Sequence, residues 1–98
     1  MKETSKKVLY IDMDGVLVDF ADAIETAYQK NPKFREKYNK IPDEIPGIFE
    51  NPKPIQGAIE AVVKIAESDR YDIFIATTAT WKNPEAAMHK RLWIEKYF

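Results

Sequence analysis

Ninety-eight residues leave room for one small domain, and the 45% apolar content is enough for a core and too high for a disordered chain. Fifteen basic against sixteen acidic residues give a net charge of −1, which argues against a protein that holds a nucleic-acid polymer by bulk charge. The absence of cysteine excludes a disulfide framework and a thiolate metal site. No apolar stretch approaches the ~18 residues of a membrane span, and Met1 to Lys7 lacks the apolar segment of a signal peptide. The expectation is a soluble, cytoplasmic protein with no membrane partner.

In chain order, Val8 to Ile11 is rich in β-branched and aromatic residues and reads as a buried strand. It runs into Asp12-Met13-Asp14-Gly15. A buried strand should not end in two unpartnered carboxylates, because an isolated buried carboxylate is very costly. Carboxylates at alternate strand positions leave on the same side and repel each other. A divalent cation relieves that repulsion, and hard oxygen ligands beside a phosphate suit Mg²⁺. Gly15 lets the chain turn sharply or lets a ligand approach the backbone. Asp14-Gly15 also suits an ordinary turn.

Phe20, Ile24, Ala27 and Tyr28 recur at helical spacing, so a helix is expected over about residues 21–30, stopped by Asn31-Pro32. The charged stretch 33–40 reads as a short exposed helix. Four prolines and Gly47 make 41–54 irregular. Ile59, Val62, Val63 and Ala66 mark one face of a second helix over about 56–67. A turn at 68–70 leads to a second strand, Tyr71 to Ala76, ending in Thr77-Thr78. Asn83-Pro84 reads as an N-cap with proline at the first helical position, opening a last helix that reaches about Tyr97. The only histidine, His89, falls on this helix and is expected at its surface.

Strand, helix and strand in this order imply a parallel unit with a right-handed crossover. Ligands of such sheets sit beyond the carboxyl ends of the strands, which is where Asp12 and Thr77 both stand. Neighbouring strands lie about 5 Å apart, so the two residues would face one pocket. Read alone, Thr77 is a strand-end β-former and Lys90 a solvated helix residue. Phe20 equally suits the first core position of its helix.

The string Ile11-Asp12-Met13-Asp14-Gly15-Val16-Leu17-Val18-Asp19-Phe20 closely resembles the first motif of the haloacid dehalogenase-like phosphatases. Within that superfamily it looks most like the 5'(3')-deoxyribonucleotidases. Thr77 matches the second motif, a hydrophobic strand ending in threonine, and the ungapped run from Thr77 to Phe98 places Lys90 at the third-motif lysine. The segment Pro46 to Val62 is also similar to the deoxyribonucleotidase stretch before that strand, so the likeness covers nearly all of the chain. Receiver domains, which also combine Asp, Thr and Lys around Mg²⁺, fit Asp12-Met13-Asp14-Gly15-Val16 poorly.

The resemblance implies an α/β fold with a partial Rossmann-like parallel sheet, flanking helices and a small helical cap insert at about 18–55. Residues 1–98 would form the N-terminal part of that domain. It implies Mg²⁺-dependent hydrolysis of (deoxy)nucleoside monophosphates. Asp12 would be the nucleophile and Asp14 the acid–base, both contributing to the metal site, with Thr77, Thr78 and Lys90 holding phosphate and Phe20 contacting the base. Thr78 replaces the usual serine, Ala79 the usual proline, and Trp81 stands where some relatives carry lysine. The family's fourth motif, acidic residues after a later strand, is not found before Phe98. Two strands alone leave an open edge, so a homo-oligomer or complementing chain is expected. The alternative is a non-catalytic truncated remnant or regulatory module that folds with a partner and binds phosphate weakly.

Overall fold

A computed structural model describes residues 6–98; the N-terminal stretch read above for a signal peptide lies largely outside them, in residues 1–5. Strand β1 (Lys7–Asp12) pairs in parallel with β2 (Tyr71–Ala76), in a register that sets Asp12 opposite Ala76. The two strands form the whole sheet among the described residues. Four α-helices complete the α/β architecture: α1 (Phe20–Lys30), α2 (Lys33–Tyr38), α3 (Ala58–Glu67) and α4 (Ala86–Tyr97). No helix is long and apolar enough to cross a membrane among the described residues.

Helix α1 starts where the Asp19 side chain accepts the Asp22 N–H at 3.1 Å, which satisfies one of the orphan donors of the first turn. Asn31 closes it through an N–H donated to the Ala27 carbonyl. Helix α2 is shorter than expected and not fully exposed. It ends at Tyr38, which is buried and meets Phe34 edge to face at 5.2 Å. The proline-rich stretch that follows contains one short 3₁₀ turn, Pro42–Glu44, and is otherwise irregular, as its composition requires.

Two cores result. Tyr28, Tyr38, Ile45, Ile48, Phe49 and Ala86 form the first, joined by Phe20, Ile24 and Phe34; it belongs to the insert between β1 and α3. Met13, Leu17, Val18, Val62 and Trp93 form the second, beneath Ile11, Ile73 and Ile75 of the sheet. Helix α4 serves both, because Ala86, His89, Lys90 and Trp93 make one buried stripe at helical spacing. Its Trp93 indole N–H donates to the Pro52 carbonyl at 2.8 Å and ties the sheet core to the end of the insert.

Three expectations are corrected. β1 is not a buried strand: Leu9 and Ile11 turn inward, but Val8 is 53% and Tyr10 69% exposed, because none of the described residues covers the second face of the sheet. The inner side of α3 carries Ala58, Ile59 and Val62, while Val63 and Ala66 are exposed, a shift of the stripe that the start at Ala58 rather than 56 accompanies. Asn83 is not the cap of α4, which begins at Ala86. It sits buried in the preceding turn and donates its amide to the Asp43 and Ile45 carbonyls, both at 3.0 Å. The amide acts through its two N–H donors on carbonyls of the insert, whereas a cap would have used its acceptor oxygen.

Candidate functional site

The carboxyl end of β1 delivers Asp12, and the loop that follows is pinned by one carbonyl. Met13 O accepts the N–H groups of Leu17 at 2.8 Å and Val18 at 2.9 Å, while the Met13 side chain is fully buried. Asp12 and Asp14 therefore flank a fixed point. Gly15 turns the chain with φ +79°, and a Cβ there would meet nothing within 4 Å. Of the two uses read for this glycine, the left-handed turn is the one the backbone requires. The Asp12 Oδ1 accepts the Met13 N–H at 2.8 Å, which orients the carboxylate from the main chain.

The carboxyl end of β2 delivers Thr77 and Thr78 opposite. Asp12, Asp14, Ala76, Thr77 and Thr78 line one cleft of about 470 Å³. Lys90 reaches the same place from α4. Its ammonium donates to Asp14 Oδ2 at 2.8 Å, to Thr77 Oγ1 at 3.0 Å and to the Thr78 carbonyl. Those three acceptors use all three of its protons. Lys90 is only 4% exposed, so it is not a solvated helix residue; a buried ammonium needs such pairing to offset desolvation.

Phe20 does not line the cleft. It is half-buried at the start of α1 and stacks on Phe49, with ring centroids 5.3 Å apart and planes 6° from parallel. Phe49 in turn lies under the Lys90 ammonium, 4.3 Å from ring centroid to Nζ. Sequence reasoning missed Phe49, because one aromatic in a proline-rich irregular stretch carries no periodic signal. The Asn83 ties were missed because Asn-Pro reads first as a cap. His89, expected at the helix surface, is buried, since it falls on the stripe that faces the insert. Its Nε2 lies 3.5 Å from Glu85, and its buried Nδ1 has no hydrogen-bond partner. Trp81 is 97% exposed and touches none of this.

Two carboxylates stand where a divalent cation could bind, Asp12 and Asp14. Asp14 Oδ1 is buried without a partner, the kind of orphaned oxygen that a cation or a donor would satisfy. Mg²⁺ is held by one or two carboxylates together with water and substrate phosphate, so Asp12 and Asp14 fit it in kind. No cluster of three or more Asp, Glu, His or Cys suited to a metal occurs among the described residues. Among the described residues the carboxylates that line the cleft are Asp12 and Asp14.

The α/β unit thus gathers carboxylates, hydroxyls and one buried ammonium at the carboxyl ends of its two strands, where parallel sheets place their ligands. No protein-family model matches the chain. It is 43% identical, over 98 residues, to a protein of Vibrio phage KVP40 named "Putative 5'(3')-deoxyribonucleotidase"; the match covers 98% of this chain and 54% of that protein. A protein of Acanthamoeba polyphaga mimivirus with the same descriptive name is 27% identical over 113 aligned residues, covering 92% of this chain and 51% of its own length. The chain thus spans about half the length of the curated relatives it matches.

Proposed function

We propose that this chain carries the reacting half of a nucleotidase of the haloacid dehalogenase-like type, which hydrolyses deoxyribonucleoside monophosphates with Mg²⁺. The observation that carries the reading is the convergence of Asp12, Asp14, Thr77, Thr78 and Lys90 at the carboxyl ends of two paired parallel strands. The similarity to proteins named as deoxyribonucleotidases, along nearly the whole chain, supports the substrate class.

In this reading an Asp12 oxygen attacks phosphorus and the bond to the nucleoside oxygen breaks. Asp14 gives that oxygen its proton, and the aspartyl-phosphate remains. Asp14 then takes a proton from water, whose oxygen attacks phosphorus, releasing phosphate and the Asp12 carboxylate. Thr77 and Thr78 donate to the phosphoryl oxygens, and Lys90 holds positive charge beside them. Mg²⁺, held by Asp12 and Asp14, would offset the repulsion between carboxylate and phosphate when bound. Phe20 contributes an aromatic surface for the base. In this reading a second copy of the chain or a complementing chain covers the open sheet face.

A second reading, a non-catalytic module that binds phosphate weakly with a partner, is favoured by one observation: the protein carboxylates at the site number two, with no third beside them among the described residues. One experiment separates the two. Deoxyribonucleoside monophosphates and an aryl phosphate are assayed with Mg²⁺ on wild type, Asp12→Asn, Asp14→Asn, Lys90→Ala and Phe20→Ala. The enzyme reading expects no turnover from Asp12→Asn and a loss of roughly 10²–10⁴-fold from Asp14→Asn. Lys90→Ala should be slower on both substrates, and Phe20→Ala impaired mainly on nucleotides. Turnover surviving Asp12→Asn would sink the covalent route. A folded but inactive wild type would leave the second reading standing.

A further inference from the structure

We infer that Phe49, a residue of the insert, positions the ammonium of Lys90 beside Asp14 and Thr77; the functional part of this inference rests on the nucleotidase reading. Phe49 is 1% exposed, so it cannot be a ligand contact. Its position is fixed on both sides in sequence. The carbonyls of Asp43 and Ile45 are held by the Asn83 amide, and that of Pro52 by the Trp93 indole. All these anchors lie on α4 or in the turn that leads into it, the same element that carries Lys90.

The three protons of Lys90 are spent on Asp14, Thr77 and Thr78, and the Phe49 ring stands 4.3 Å from the same nitrogen. A desolvated ammonium near the face of an aromatic ring is attracted by the ring's quadrupole. A lysine stem has four flexible carbons and many rotamers. The ring therefore limits where the ammonium can sit without using any of its protons. Leucine would fill much of the space and supply no quadrupole.

Phe20 stacks on Phe49. That stack is a further constraint on where the Phe49 ring can sit.

The test uses lysine labelled at ¹³Cε, with the Lys90 signal assigned by its loss in Lys90→Arg. In wild type the Lys90 ε-proton resonances should lie upfield of the other lysines, shielded by the ring. Phe49→Leu should return them to the common position and Phe49→Tyr should keep them upfield. Replacement of Phe49 by pentafluorophenylalanine keeps the shape, reverses the charge on the ring face and should also move the Lys90 signal, which guards against a Phe49→Leu variant that fails to fold. In kinetics, Phe49→Leu should lose roughly tenfold in kcat on both a nucleotide and an aryl phosphate, with KM little changed, and Phe49→Tyr should restore it. A Lys90 signal that is unshifted in wild type, or unmoved by both Phe49→Leu and the fluorinated ring, would overturn the inference. So would a folded Phe49→Leu with wild-type kcat. If wild type has no turnover, the nucleotidase reading falls while the Lys90 signal still decides the positioning.

Discussion

On the inner face of the sheet, Ile11, Ile73 and Ile75 pack against Met13, Leu17, Val62 and Trp93. On the outer face, Val8, Tyr10 and Phe74 stand half or more exposed, and their only mutual relief is the tilted contact of Tyr10 with Phe74 at 5.8 Å. Both faces are apolar at alternate positions of the same two strands. Residue chemistry alone does not distinguish them; what distinguishes them is that helices cover one side only. Strands apolar on both faces are the signature of a parallel sheet covered on both sides. Among the described residues the outer face stands uncovered, and the chain spans about half the length of the relatives it matches.

The contrast can be broken most strongly from the covered side. Trp93→Ala removes a fully buried indole and its hydrogen bond to Pro52, and should cost about 3–5 kcal/mol in urea unfolding. A loss below about 1 kcal/mol would mean that the inner core is not the stabilising half. Asn83→Ala should cost about 1–3 kcal/mol, because the Asp43 and Ile45 carbonyls lose their donor. Limited proteolysis should then cut first between residues 33 and 50, and an unchanged pattern would show that the insert is held by packing alone.

Smaller effects sharpen the comparison. Asp19→Ala removes the cap of α1 and should lower stability by about 1 kcal/mol, read as a lower melting temperature. If Asp19 instead served the reaction, activity would fall with the melting temperature unchanged. Phe74→Ser on the open face should change the stability of the chain by no more than about 0.5 kcal/mol. The same substitution should weaken any assembly that covers this face, so the two measurements together locate the cover. A large stability loss in the isolated monomer would show that the outer face is already packed.

Much of the fold was legible in the residues. The bounds of β2 and the end of α1 at Asn31 follow from local rules: β-branched runs, helical spacing and side chains that satisfy helix ends. Asp12 and Thr77 were readable as cleft residues because two parallel strands bring their carboxyl ends together whatever lies between them, while Thr78 entered through the family resemblance. Burial was not readable in the same way. His89 and Lys90 are polar and Val63 is apolar, yet the first two are inside and the third is exposed.

The sequence by itself therefore determined the order of the elements and the residue types at the strand ends, because these depend on residues close together in the chain, while the left-handed φ of +79° decided between the two uses of Gly15. Only the tertiary structure decided that Lys90 spends its protons on Asp14, Thr77 and Thr78. It also decided that Phe49 meets that ammonium, that Asn83 holds the insert and that one sheet face is bare. Each of these depends on pairs tens of residues apart, or on neighbours being present at all, and a desolvated contact is set by what surrounds it rather than by the residue that makes it.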